Sequence, residues 1–192
     1  MRSEQRNRTA KKRKTQGFTL MELMTVVIIV GVLSAIAIPT FSSYIYKSRT
    51  TEATEFLGVI RLREEAYRSE FGTYAATLAA AASPNQYASL TTSNMVPDPT
   101  TTRRDPKAFV ATQPWLQLGA RPSGPVRFGY GVVAGIPSDV PTTLGWTDAT
   151  ADFWFVARAL GDLNGDDKWC TFEIYSASKN MWISDPKGRG WD

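Results

Sequence analysis

Gly17-Phe18-Thr19-Leu20-Met21-Glu22 opens an apolar run that continues as LMTVVIIVGVLSAIAI over residues 23–38. From Phe18 to Tyr46 the single charged side chain is Glu22. A helix that crosses the hydrocarbon core of a bilayer takes about 20 mostly apolar residues, so this run is long enough to span. Directly before it stands Lys11-Lys12-Arg13-Lys14. A basic flank is retained on the cytoplasmic side, which predicts a cytoplasmic N-terminus and an exported remainder. Residues 1–17 are polar and basic without apolar period and read as a leader. An ordinary secretory signal places its small-residue cleavage site after the apolar run. Ala35-Ile36-Ala37 offers such a site, and cutting there would leave a soluble protein.

Basic leader, Gly-Phe-Thr-Leu-x-Glu and following apolar helix together resemble the type IV prepilins and the related pseudopilins of type II secretion. The close resemblance covers roughly residues 15–74. It implies that a membrane prepilin peptidase cuts between Gly17 and Phe18 and methylates the new N-terminal Phe18. It assigns filament assembly to Glu22, the fifth residue of the mature chain, which pairs with the Phe18 amine of a neighbouring subunit. The physics agrees, because a cationic amine offsets a carboxylate removed from water. The family's helix-softening glycine and proline match Gly31 and Pro39.

The implied protein is a structural subunit of a type IV pilus or pilus-like filament serving adhesion, twitching motility or DNA uptake. Its implied partners are other pilin subunits in a homo- or hetero-polymer, the peptidase/N-methyltransferase, and the inner-membrane platform of a pilus or secretion system. It would sit first in the inner membrane as a single pass with a periplasmic C-terminal domain, and later in an extracellular pilus or periplasmic pseudopilus. A minor pilin or a type II secretion pseudopilin is the alternative within the class. Outside it stands a membrane-anchored, exported binding domain that does not polymerise.

Composition narrows the chemistry. Seven of the 22 basic and one of the 18 acidic residues fall in 1–17, so the remainder holds 15 basic and 17 acidic. The basic balance thus belongs to the leader, and no nucleic-acid partner is expected for the mature chain. There is no histidine, which removes imidazole metal sites and the commonest general base. No spacing singles out a catalytic carboxylate pair or lysine, so the chain is not read as an enzyme. One cysteine, Cys170, rules out an intramolecular disulfide.

Beyond the apolar segment 18–46, residues 47–72 predict an amphipathic continuation of the helix. Ala53, Phe56, Leu57, Ile60, Tyr67 and Phe71 form the apolar stripe, Glu64 and Arg68 a favourable i,i+4 pair, and Gly72 the stop. Residues 73–125 are a loop-rich connection, with short helix at 79–82 and a short strand at Trp115-Leu116-Gln117-Leu118. In 126–192 the period changes to two. Val126, Phe128, Tyr130, Val132 and Ala134 predict a half-buried strand weakened by glycines. Further strands follow at 152–160, 171–176 and 181–184, joined as antiparallel hairpins. The expected fold is α+β and type IV pilin-like: a long N-terminal helix packed on one face of a C-terminal antiparallel sheet.

All six tryptophans lie between Trp115 and Trp191, as sheet packing or as a stacking surface. Asp162-Leu163-Asn164-Gly165-Asp166 alternates oxygen side chains, and Glu173 falls at the twelfth position counted from Asp162. That array suits calcium, a hard cation wanting six to eight oxygens. It equally suits a polar hairpin turn with Glu173 facing solvent. Asp167 replaces the glycine of a calcium loop, and the flanks read as strands. No cofactor is required; Ca2+ at Asp162, Asn164, Asp166 and Glu173 is the one candidate.

Overall fold

The computed structural model describes residues 17–78, 86–99, 108–137, 152–163, 165 and 168–184. Its elements are helix α1 (Leu20–Phe71), 3₁₀ turns at Gln86–Ser89 and Thr92–Asn94, and short helices α2 (Ala108–Ala111) and α3 (Gln113–Leu118). Strands β1 (Gly129–Gly135), β2 (Trp154–Gly161), β3 (Cys170–Tyr175) and β4 (Ser178–Ile183) follow. The chain divides at Thr40/Phe41 into two compact units.

The N-terminal unit contains the start of α1. Leu20–Ile38, 19 residues, is apolar enough to cross a membrane and none of it is buried. The helix continues through Gly31 and Pro39. Thr25 and Thr40 donate their hydroxyls to the carbonyls of Met21 and Ile36, at 2.8 and 2.9 Å, which satisfies these two side chains within the helix.

In the C-terminal unit, α1 lies on a four-stranded antiparallel sheet of order β1-β2-β3-β4. Ala53, Phe56, Leu57 and Ile60 are buried, as their spacing requires. Phe56 is central: its ring meets Phe109 edge-on at 5.4 Å and Tyr130 at 4.7 Å. Tyr67 packs at the margin of this core, whereas Phe71 is exposed. Gly72, at φ 76°, ends the helix by donating its N–H to the Arg68 carbonyl at 2.8 Å.

Three expectations are corrected. Glu64 does not pair with Arg68. It is wholly buried, while Arg68 donates to the Tyr74 hydroxyl at 2.8 Å and to the Asp152 carboxylate. Position 64 follows Ile60 by four and Leu57 by seven, so it falls on the apolar face. Trp115–Leu118 is helical rather than a strand. Pro114 suits the first turn of α3, and Gly119, at φ 66°, closes it with an N–H to the Trp115 carbonyl at 3.0 Å. The expected helix at 79–82 lies outside the described residues.

The third correction concerns the sheet, whose strands β1 and β2 are buried on both faces rather than one. Tyr130, Val132, Phe155, Ala157, Ala159, Phe172 and Ile174 share the core with α1. On the far face Val133, Trp154, Val156 and Leu160 pack with Leu78, Leu90 and Met95 from the connection before β1. The glycines of β1 make room for it. A Cβ on Gly129 would stand 2.6 Å from the Pro97 carbonyl oxygen, and one on Gly131 2.9 Å from the Met95 sulfur. What sequence alone reads as weakening glycines are positions where another segment lies against the strand.

Candidate functional site

Two places carry the sequence-predicted residues: the start of α1 and the β2–β3 hairpin. At the first, Thr19 and Glu22 close a reciprocal cap. Glu22 N–H donates to Thr19 Oγ1 at 3.2 Å, and Thr19 N–H donates to Glu22 Oε2 at 2.9 Å. The Thr19 hydroxyl also donates to Oε2, at 2.8 Å. Thr-x-x-Glu is the sequence form of this box, so the helix begins where it does because these two residues satisfy donors that have no partner inside the helix. A carboxylate in the first turn also faces the positive end of the helix dipole.

Gly17 and Phe18 lie just outside the helix and are exposed, Phe18 by 81%. The bond between them therefore lies before the helix rather than within a helical turn. Gly17, Phe18, Thr19 and Glu22 line one shallow surface. Gly31 and Pro39 lie further along α1 and make no part of it. Thr19 is the residue that sequence reasoning missed, although its spacing from Glu22 was the available signal.

At the second place, Asp162 Oδ1 accepts the Gly165 N–H at 2.7 Å, and Gly165 adopts φ 79°. This is a side-chain-stabilised turn. Asn164 and Asp166 lie outside the described residues. Glu173 lies away from this turn. Gly161 pairs with Cys170 at the hairpin end, whereas Glu173 pairs with Arg158, three residues along β3 and about 10 Å from that end. Nor does it face solvent: it is 2% exposed.

Arg158 Nε donates to Glu173 Oε1 at 2.5 Å. The Tyr87 hydroxyl donates to both carboxylate oxygens at 3.3 Å, and the Tyr175 hydroxyl donates to Oε2. Arg158 Nη1 reaches the Leu90 carbonyl at 2.5 Å, and its guanidinium stands 4.8 Å from the Tyr87 ring centre. Burial and the adjacent carboxylate push the Tyr175 hydroxyl well above the ordinary phenol range. The cluster fastens the 86–90 segment to the far face of the sheet. No group of three or more metal-type side chains exists among the described residues. Trp115 and Trp154 are core, Trp169 packs at its margin and Trp182 is half exposed; Trp146 and Trp191 lie outside the described residues.

Residues 12–38 match the family model for the prokaryotic N-terminal methylation motif. A fimbrial protein EcpC of Eikenella corrodens is 40% identical over 70 residues, 36% of this chain and 46% of that protein. A type IV major pilin protein PilA of Myxococcus xanthus is 41% identical over 61 residues, 32% of this chain and 28% of that one. A type IV major alpha-pilin of Moraxella bovis is 54% identical over 39 residues, 20% of this chain and 24% of its own length. The chain thus spans less than half the length of these curated relatives. No solved structure is significantly similar.

Proposed function

We propose that this chain, whose N-terminal segment is that of the type IV pilin family, is the structural subunit of a type IV pilus or pilus-like filament. One observation carries the reading. A 19-residue apolar helix with no buried residue lies within the matched methylation motif and holds its single acid in the first turn. An unburied apolar surface of that length requires lipid or other copies of itself as surroundings.

In this reading the chain waits in the membrane on Leu20–Ile38, a peptidase cuts after Gly17, and Phe18 becomes the methylated N-terminus. Glu22 then takes the amine of Phe18 from a neighbouring subunit. Thr19 holds the carboxylate by Oε2 alone, which leaves Oε1 for that amine. Gly31 and Pro39 are where the helix loosens as subunits pack. The work of the protein is assembly, with no catalytic step of its own. The names of the relatives, major pilins and fimbrial proteins, support the filament over a secretion pseudopilus.

Mass spectrometry of the mature protein tests this directly. The expected first residue is methylated Phe18; a chain starting at Met1, or beyond Ala37, overturns it. Glu22→Ala is expected to abolish sheared surface filaments while the leader is still cut, and normal filaments from that variant count against the assembly role.

A further inference from the structure

We propose that Glu64 is a proton-controlled latch holding the segment 73–78 against the open edge of β1. The carboxyl is completely buried on the sheet-facing side of α1. Its Oε2 accepts the Ala75 N–H at 2.9 Å, and its Oε1 has no hydrogen-bond partner. Two residues after Ala75, Thr77 N–H donates to the Val132 carbonyl at 2.9 Å, and Val132 N–H donates to Thr77 Oγ1 at 2.9 Å. The backbone of Val132 faces away from β2, so Thr77 closes that part of the sheet edge. A helix carboxyl, a strap and an edge strand are thereby joined in series.

The surroundings favour the neutral form. On α1, Glu65 is the next residue and accepts the Tyr74 hydroxyl at 3.2 Å. Arg68 is held by Tyr74 and Asp152. Among the described residues, the helix-facing side of the sheet offers Tyr130, bonded to Glu52 at 3.2 Å, and Cys170 as buried titratable groups; Lys179 of β4 is exposed, and Arg61, one turn before Glu64, donates to the Lys179 carbonyl at 3.2 Å. Helices α2 and α3 carry no ionisable side chain. A buried carboxylate without a cation is unfavourable and is relieved by reaching water or by taking a proton. Burial, with the nearby Glu65 carboxylate adding to it, pushes the Glu64 carboxyl up to about 8 despite the Ala75 hydrogen bond. The strap is closed while the proton is bound and opens more readily as pH rises towards that value. An open strap leaves the Val132 amide and carbonyl free to pair with an extended segment of another chain.

Hydrogen exchange on the full-length protein in detergent tests the latch, with rates corrected for base catalysis. If Glu64 titrates normally once the strap is open, opening rises about fiftyfold between pH 6 and 8. Protection at Ala75, Thr77 and Val132 should fall by that factor in the native protein while β2 and β3 amides hold. In Glu64→Gln, which keeps an acceptor for Ala75, protection should not change with pH. Flat protection in the native protein, or an equal fall in Glu64→Gln, overturns the proposal. Should Glu64→Gln fail to fold, a carbon-detected NMR titration of native Glu64 decides: a midpoint near 8 supports the latch and one near 4.5 refutes it.

Discussion

Arg158→Met isolates what holds the 86–90 segment on the far side of the sheet. In the native protein Glu173 is 2% exposed and, among the described residues, Arg158 is the cation paired with it, with 17% of the arginine side chain exposed. Methionine fills similar volume but leaves Glu173 with only two phenolic donors. Removing one partner of a buried pair costs about 3–5 kcal/mol, since the remaining charge is uncompensated. For a domain of this size that lowers Tm by about 2–4 °C per kcal/mol. Urea unfolding of the full-length protein in detergent, followed by tryptophan fluorescence, reads this out, because Trp182 pairs directly across from Glu173. The double variant Arg158→Met/Glu173→Leu should recover most of the loss. A loss under about 1 kcal/mol, or a double variant no better than the single one, would refute the view that this pair is energetically buried.

Gly135→Ala should cost about 1–3 kcal/mol in the same assay, because a Cβ there stands 2.3 Å from the Trp154 ring; an unchanged midpoint would mean the ring moves freely. Gly58→Ala, in α1 with nothing within 4 Å of the added carbon, should stabilise by about 0.5–1 kcal/mol, and a loss would reveal a contact at that position. Calcium in excess over chelator should leave Tm within about 1 °C, given the engagement of Glu173 by Arg158. A rise abolished by Asp162→Ala would restore the hairpin loop as a cation site.

The long helix and the strand alternation were legible because each rests on local periodicity. Phe56, Leu57 and Ile60 announce a buried face by spacing alone, and Tyr130, Val132 and Ala134 do so by alternation. Glu64 was misplaced because its chemistry, rather than its position, guided the reading: the gap between Ile60 and Tyr67 in the stripe was the signal. The far-face layer was illegible for a different reason. Leu78, Tyr87, Leu90 and Met95 are scattered through a proline- and threonine-rich connection with no period of their own. Their partners are set by contacts distant in sequence. The only local trace was glycine on alternate positions of β1, which marks close approach as readily as weakness. Thr19 was passed over because the six-residue motif was read as a processing signal, and a processing signal needs no account of how the helix begins.

That omission bears on why a chain destined for lipid keeps an acid at all. A carboxylate near the membrane boundary costs less than one at the centre, yet it still needs donors. Thr19 supplies two of them to a single oxygen, within the same turn, before any neighbour is present. On the proposed function the precursor therefore already carries Glu22 in one fixed orientation, and assembly adds the neighbour's amine to the other oxygen without reordering the side chain. Thr19→Val separates the two contributions. It keeps the backbone N–H that reaches Oε2, removes the hydroxyl that reaches both Oε2 and the Glu22 amide, and leaves the charge intact. Filament yield should fall in Thr19→Val but remain above that of Glu22→Ala, with leader cleavage unaffected in both. Equal yield from Thr19→Val and the native protein would show that the amine alone positions the carboxylate, and that the cap serves only to start the helix.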